Sequence, residues 1–237
     1  MRLDKLLSRL GVCSRSGCRD LLRAGRVRVN GESVRAGDYP VPEGARVTLD
    51  GQELDCRMTR HLMMHKPAGV LTAREDGRQQ TVMDLLPPVY ASLECMPVGR
   101  LDKDTTGLLL LTTDGELAHR LISPARHVDK VYEAKVEGAL DQTDVDAFAA
   151  GIPLKDFTAL PARLEIVAPD LGRVTVQEGK FHQVKRMFGA VGKPVTELRR
   201  LRFGPLILDE ALQPGEYREL KEEEIAALYA AAGIAHE

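Results

Sequence analysis

The stretch that decides the fold of this chain covers residues 99–111 and reads Gly-Arg-Leu-Asp-Lys-Asp-Thr-Thr-Gly followed by four leucines. Its two carboxylates, Asp102 and Asp104, lie two positions apart between glycines, and the leucines form a strongly apolar strand. This pattern predicts a tight loop that holds an acid at the edge of the core, where a carboxylate can be shielded from water. The loop is therefore the first candidate for a functional site.

The residues alone leave three roles open for these carboxylates. An Asp beside Thr-Thr-Gly is commonly a turn residue that bonds its own backbone. A catalytic acid is the second possibility, and a magnesium ligand is the third, because Asp-x-Asp can bind that ion. No further carboxylates cluster at short range in the sequence, which disfavours the metal.

A second segment alternates so that Lys130, Tyr132, Ala134 and Val136 share one face of a strand. The chain has ten aromatic residues and no tryptophan, so a tyrosine beside a lysine could stack on a base. A tyrosine packed for structure is the competing interpretation.

A third segment leads from a strand into a helix whose buried stripe is predicted to contain Val184, Met187 and Phe188. His182, Lys185 and Arg186 then lie elsewhere on the circumference. Cations in the first turn oppose the helix dipole, so this placement favours an anionic partner, either a buried Asp or a phosphate.

The remaining pattern predicts an α+β chain with a domain boundary after residue 56. In residues 57–237, strand-like stretches occur at 62–65, 108–112, 131–136, 164–167 and 173–177, separated by helical patterns. Thr113 and Glu116 have the spacing of a capping box, and Glu222–Ala232 reads as a helix with acids in its first turn. Residues 52–60 are polar and without a clear period, which indicates a linker.

The first 35 residues differ from the rest in charge. They contain nine basic and three acidic side chains, a net of +6, whereas the other 202 contain 24 basic and 32 acidic ones, a net of -8. A leucine stripe and Gly11 predict one short helix, Ser14 can cap a second, and Asn30-Gly31 and Asp50-Gly51 favour hairpin turns. An arginine row could be only a solvated helix face. Because the row continues into neighbouring elements, phosphate binding is the better interpretation, with these candidates: Arg2, Lys5, Arg15, Arg19, Arg23, Arg26 and Arg28.

The composition excludes several classes of protein. With 237 residues, 43% hydrophobic residues and a net charge of -2, the chain is neither wholly disordered nor a globally basic nucleic-acid coat. No apolar run approaches the roughly 20 residues that a bilayer crossing needs, so we expect a cytoplasmic protein without a membrane partner. The four cysteines lack zinc-site spacing, and we expect reduced thiols and no metal.

Two resemblances unite these segments. Residues 1–50 resemble the S4 RNA-binding domain through Arg2-Leu3-Asp4, Ser14-Arg15 and Val27-Arg28-Val29-Asn30-Gly31. The loop of residues 99–107, Lys130-x-Tyr132 and the stretch 178–187 resemble the three motifs of pseudouridine synthases. The similarity is strongest to the branch that acts on small-subunit ribosomal RNA, through residues 104–107, His119-Arg120 with Ser123-Pro124, and the ending at 214–218.

The resemblance implies a fold, a reaction and a set of roles. The expected fold is a small S4-like domain at 1–56 and a catalytic domain at 57–237, with a mainly antiparallel mixed sheet flanked by helices. The expected reaction isomerises one uridine, uridine 516 of 16S ribosomal RNA, without a cofactor. Asp102 would be the catalytic carboxylate, Lys185 its cationic partner, Tyr132 the group that stacks on uracil, and Arg100 a side chain that helps fill the gap left by the extruded nucleotide. Asp104 would give structural support.

Two alternatives remain at this stage: a synthase for 23S ribosomal RNA, and a noncatalytic assembly factor that binds ribosomal RNA. The expected partner is small-subunit ribosomal RNA, either naked or in a partly assembled particle. A single RNA-contacting domain leads us to expect a monomer.

Overall fold

The computed structural model describes residues 1–14 and 16–235, which form two compact units. The first unit consists of Met1–Arg60 together with Leu86–Cys95, and the second of His61–Leu85 and Met96–Glu237. The first unit is thus built from two separate stretches of chain, which the sequence pattern did not indicate. We refer to them as the small unit and the large unit.

The small unit packs two helices on a four-stranded antiparallel sheet. The helices are α1 (Leu3–Arg9) and α2 (Gly17–Arg23), and the sheet has the order β2-β1-β3-β4, with β1 at Val27–Val29, β2 at Glu32–Ser33, β3 at Val47–Leu49 and β4 at Gln52–Glu53. The predicted leucine stripe is confirmed, because Leu3, Leu6, Leu7 and Leu10 are buried in one cluster with Val27 and Val47.

Both predicted hairpin turns are present. Asn30 and Gly31 have φ of 50° and 86°, and Asp50 and Gly51 have φ of 51° and 83°. Two consecutive positive φ angles are the requirement of a type I′ turn. The predicted linker at 52–60 is wrong in part, because it contains β4 and ends in a buried arginine, Arg60, that lies 2.7 Å from the Asp55 carboxylate.

Two further features of the small unit were not expected. Leu86–Cys95 contains the short helix α3 (Pro88–Ser92), and Glu94 at its end forms an ion pair of 3.2 Å with Arg9 of α1. Cys13 and Cys18, whose Cα atoms lie 5.4 Å apart, form a disulfide across the turn between α1 and α2. The prediction of reduced thiols is therefore wrong for this pair, because the helix turn brings side chains five positions apart together.

The large unit is built on one mixed sheet. Its strands are β5 (His61–Lys66), β6 (Met96–Pro97), β7 (Thr106–Thr112), β8 (Lys130–Val136), β9 (Arg163–Ala168), β10 (Leu171–Val176), β11 (Val195–Phe203), β12 (Leu206–Ile207) and β13 (Tyr217–Glu219). The order is β13-β5-β7-β11-β8-β10-β9, with β12 on β11 and β6 on β7. The β7–β11 pair is parallel, and the other recorded pairs are antiparallel. The predicted fold class is confirmed.

Strand β7 lies in the interior of this sheet, between β5 and β11, because its sequence tolerates burial on both faces. The side chains of Leu108, Leu109, Leu110 and Leu111 are all fully buried. Gly107 (φ 100°) permits the pairing with β11, since a Cβ there would lie 2.2 Å from the carbonyl oxygen of Arg200. The loop that contains both aspartates therefore enters a rigid strand.

Four helices cover the sheet: α4 (Gly115–Ile122), α5 (Gln142–Ala150), α6 (Gln183–Ala190) and α7 (Glu222–Ala232). Helices α4 and α7 share a core cluster with Leu108 and Leu110. Phe188 of α6 packs on Phe148 of α5, with ring centroids 4.7 Å apart. The predicted bounds of α7 are confirmed.

Helix α4 begins differently from the prediction. Asp114 is its N-cap and accepts a hydrogen bond of 3.0 Å from the Leu117 amide, so the cap lies one residue after Thr113. Asp114 also accepts a hydrogen bond of 2.6 Å from the Tyr229 hydroxyl of α7.

Among residues 1–14 and 16–235, no helix has both the length and the apolar character to cross a bilayer.

Candidate active site

The loop between β6 and β7 is held by side chains from earlier in the chain. The Lys66 amine is fully buried and donates hydrogen bonds of 3.0 to 3.2 Å to the carbonyls of Pro67, Lys103 and Thr105. Thr72 fixes the start of the loop, because its hydroxyl donates to the Leu101 carbonyl and accepts from the Leu101 amide. The loop conformation is thus imposed by its surroundings.

The burial of Lys66 has an electrostatic consequence. Desolvation lowers the pKa of its amine to about 8, and the nearby carboxylates of Asp104 and Asp102 oppose that change. Lys66 therefore lies within the electrostatic reach of both aspartates. No sequence pattern singles out Lys66, because nothing local signals that three carbonyls converge on it.

The loop lines a cleft of about 420 Å³ that is open to solvent. The cleft brings together side chains from the three predicted segments: Arg100 and Asp102 from the loop, Tyr132 from β8, and His182 from the start of α6. Its apolar lining includes Leu101, Val176, Val184 and Leu198. Asp102 thus lies at a concave surface, with 27% of its side chain exposed.

Two nitrogen-bearing side chains contact the Asp102 carboxylate. Lys185 Nζ lies 3.3 Å from Oδ2, and His182 Nε2 lies 3.4 Å from Oδ1. Both come from the beginning of α6, where the sequence placed cations in need of an anion. The contact with His182 was missed, since a lone histidine gives little signal before its neighbours are known.

Lys185 has a second and shorter contact. Its amine donates a hydrogen bond of 2.5 Å to Asp104 Oδ1, and this bond lowers the pKa of the Asp104 carboxyl. The ammonium thus bridges the two aspartates of the loop. The Asp104 side chain is 75% exposed, which fits a supporting position better than a reacting one.

Tyr132 is buried on the face of β8 that carries Lys130, Ala134 and Val136, as the alternation predicted. Its partner across the β8–β11 pair is Arg200, which is also buried and donates a hydrogen bond of 2.7 Å to the Leu108 carbonyl. Desolvation lowers the pKa of the nearby Lys130 amine to about 8. Tyr132 therefore lines the cleft from a strand that carries one buried cation, Lys130, and is paired with another, Arg200.

The predicted RNA-binding side chains of the small unit are mostly at its surface. Lys5, Arg19, Arg23 and Arg28 are exposed. Two others have acidic partners: Arg2 lies 2.7 Å from Asp4, and Arg26 is paired with Asp50. Arg15 lies outside the described residues, and Arg19 and Arg23 of the predicted row lie on α2.

Comparison with known proteins identifies the family. Residues 60–190 match the RNA pseudouridylate synthase family, and residues 1–47 match the S4 domain. The chain belongs to the pseudouridine synthases. It is therefore an isomerase, and its S4 domain supports binding of an RNA substrate.

Individual relatives cover nearly the whole chain. An uncharacterised RNA pseudouridine synthase of Bacillus subtilis is 46% identical over 96% of this chain and 98% of its own. Proteins of Pseudomonas aeruginosa and Escherichia coli K12, both named ribosomal small subunit pseudouridine synthase A, are 43% identical over 96% of this chain and all of their own. A crystal structure of a pseudouridylate synthase matches with a TM-score of 0.69 and 35% identity, covering 96% of this chain and 99% of that one.

Proposed function

We propose that this pseudouridine synthase modifies 16S ribosomal RNA, at the uridine that corresponds to position 516. The names of its relatives from P. aeruginosa and E. coli support the small-subunit assignment, because both align with nearly every residue of the chain. A ribosomal RNA substrate also supports a cytoplasmic location.

The observation that carries the proposed mechanism is the position of Asp102 in a cleft that Tyr132 also lines, with nitrogens of Lys185 and His182 at 3.3 and 3.4 Å from its carboxylate. In the reaction, the N1–C1′ bond of uridine breaks, the uracil turns, and C5 bonds to C1′. C5 loses a proton and N1 gains one, so no oxidant, reductant or water is consumed. A route that develops positive charge at C1′ is favoured by an ionised carboxylate nearby.

Lys185 supplies the positive charge that faces the Asp102 carboxylate in the cleft. Its bridge to Asp104 supports that role, because the second carboxylate fixes the ammonium within 3.3 Å of the first. Tyr132 offers a ring on which the uracil can stack and a hydroxyl for proton transfer at C5. Arg100 is exposed at the cleft, where it can occupy the space that the extruded nucleotide leaves.

The small unit supplies affinity through its exposed cations, which contact phosphates without reading the base sequence. We expect the enzyme to act as a monomer, because the chain carries a single RNA-contacting domain. Light scattering of the purified enzyme with and without RNA tests that expectation.

The substrate assignment is tested by incubating the purified enzyme with unmodified 16S RNA, with unmodified 23S RNA and with a partly assembled small-subunit particle. Mass spectrometric mapping should detect one new pseudouridine, at position 516 of 16S RNA, in at least one of the two small-subunit substrates. Modification of 23S RNA alone would contradict the assignment. Mapping of ribosomal RNA from cells that lack the protein gives an independent check.

A further inference from the structure

Phe181, whose chain neighbours Lys180 and His182 line the cleft, differs from the other phenylalanines of this chain in its exposure to solvent. Phe148, Phe188 and Phe203 are fully buried, and Phe157 is half-buried under the Lys180 amine, which lies 3.8 Å from its ring centroid. Phe181 is instead 70% exposed. A single exposed apolar residue is ordinary by itself, so its surroundings decide whether it has a function.

One face of the Phe181 ring is covered by a residue of the site. The rings of Phe181 and His182 are stacked, with centroids 3.8 Å apart and an angle of 18° between planes. The same His182 reaches the Asp102 carboxylate through Nε2 at 3.4 Å. The phenyl ring therefore lies one side chain away from the proposed catalytic carboxylate, and its other face is open to solvent.

The backbone around this pair is fixed in place. His182 has φ of 48°, an uncommon conformation for a histidine and one that tends to occur at functional sites. On its two sides, Lys180 pairs with Glu178 at 2.9 Å, and Gln183 donates a hydrogen bond of 2.9 Å to the same glutamate. The exposed ring is thus held by neighbours that are themselves held, which reduces the entropy lost when a ligand stacks on it.

The surroundings of the ring favour a nucleobase as its ligand. Every base offers a flat face to an aromatic side chain, and RNA-binding proteins use exposed aromatic rings as stacking platforms. Lys180 on the same segment and Arg100 in the loop are exposed cations that suit the phosphates that accompany a base. An apolar protein partner would instead have to cover these charges.

We propose that Phe181, stacked on His182, is a platform for the base next to the target uridine in the RNA. When the uridine enters the cleft, its neighbour leaves the RNA stack and loses its contact with the extruded base. Stacking on Phe181 replaces that contact and holds the RNA in register with Asp102. Phe181 is accordingly a positioning residue, and its role rests on the proposed function only in that a uridine of an RNA is extruded into this cleft.

The test compares Phe181→Leu, which keeps an apolar side chain without a ring, with Phe181→Trp, which keeps an aromatic one. Ile207→Ala is the control, because Ile207 is equally exposed at 67% but does not line the cleft. On a 16S RNA fragment we expect Phe181→Leu to raise KM by about 10-fold, the scale of one lost base stack, with kcat nearly unchanged. Phe181→Trp and Ile207→Ala should stay within about 2-fold of the wild type.

A spectroscopic measurement separates stacking from a general loss of structure. The same fragment carries 2-aminopurine one position 5′ or 3′ of the target uridine, and binding is followed by fluorescence at saturating enzyme. We expect quenching at one of the two positions with the wild type and Phe181→Trp, and loss of that quenching with Phe181→Leu. Equal KM and equal quenching in Phe181→Leu and the wild type would overturn the platform. Quenching needs binding alone, so wild-type quenching without turnover would contradict the proposed function and leave the platform in place.

Discussion

The two units of this enzyme place their lysine and arginine side chains in opposite environments. In the small unit, Arg19 and Arg23 are exposed on one short helix. In the large unit, Lys66, Lys130 and Arg200 are at least 90% buried and donate hydrogen bonds to main-chain carbonyls. An exposed charge can be changed at little cost to the fold, whereas removal of a buried donor leaves its acceptors unsatisfied. We therefore expect the small unit to tolerate substitution of its cations with changes in RNA binding alone, and the large unit to lose stability or activity.

The largest effect is expected at the loop of the large unit. Asp102→Asn removes the negative charge with little change of shape, so we expect kcat to fall by about 10³-fold or more while RNA affinity stays within a few-fold. Release of tritium from RNA containing 5-tritiated uridine measures the reaction, and filter binding measures the affinity. Asp104→Asn is the matched control in the same loop and should lose less than about 10-fold. Persistent tritium release in Asp102→Asn would remove Asp102 from the mechanism.

A buried cation of the same unit should matter next most. Lys66→Met deprives the carbonyls of Pro67, Lys103 and Thr105 of their donor, so we expect a loss of about 2 kcal/mol in the free energy of unfolding and a fall in kcat of about 10- to 100-fold. Urea unfolding and the tritium assay measure the two effects. Lys103→Met is the control, since Lys103 belongs to the same loop but is exposed. Equal stability of the two variants would show that Lys66 does not hold the loop.

In the small unit, the effect should be smaller and should appear in binding alone. Arg19→Gln with Arg23→Gln should weaken RNA binding several-fold and lower the slope of log Kd against log salt by about 1 to 2, because fewer counterions are released. The double Arg→Lys variant keeps both charges and should retain the wild-type slope. A fall in kcat at saturating RNA would contradict the expectation that the small unit contributes to binding alone. Deleting the small unit at residue 55 is a poorer test, because Leu86–Cys95 would lose the residues it packs against.

The last effect appears in stability alone, as a dependence on pH. Burial lowers the pKa of Lys66 to about 8 from 10.5, so between these values the unfolded chain binds more protons than the folded one. The free energy of unfolding should therefore gain a contribution that rises with pH through this window, and Lys130 should contribute in the same sense. Urea midpoints at about pH 7.5 and pH 9.5 should show a smaller rise in Lys66→Met than in the wild type. An identical rise in both would mean that Lys66 titrates normally.

The sequence predicted best those features that depend on neighbouring residues. Helix α7 has the predicted bounds, and the turns at Asn30-Gly31 and Asp50-Gly51 have the positive φ angles that their dipeptides favour. The start of α4 was displaced by one residue because Thr113 and Asp114 are both good caps, and only the packing of Tyr229 on Asp114 distinguishes them.

The candidate site divides in the same way. Local pattern and family resemblance located Asp102 and Tyr132, which line one cleft, and Lys185, which contacts Asp102, although their catalytic roles stay predictions. The carbonyls gathered on Lys66 and the contact of His182 with Asp102 join segments 37 to 80 residues apart, for which no local pattern exists. The disulfide of Cys13 and Cys18 was missed for another reason. The prediction rested on the reduced state expected of cytoplasmic thiols, and it did not consider the distance between the two cysteines.

Leu86–Cys95 belongs to the small unit although the large unit precedes and follows it in the sequence. This arrangement has a consequence for engineering and for the exchange of domains between enzymes. A gene fusion that takes the RNA-binding part as one cassette ending near residue 60 would leave behind α3 and the Glu94 partner of Arg9. The donor enzyme would keep α3 without the residues it packs against, and the transferred segment would expose the surface that Leu86–Cys95 covers. Transfer of this RNA-binding unit to another synthase thus requires two separate segments of the gene, and a recombination event with a single crossover would produce a chimera with an incomplete unit.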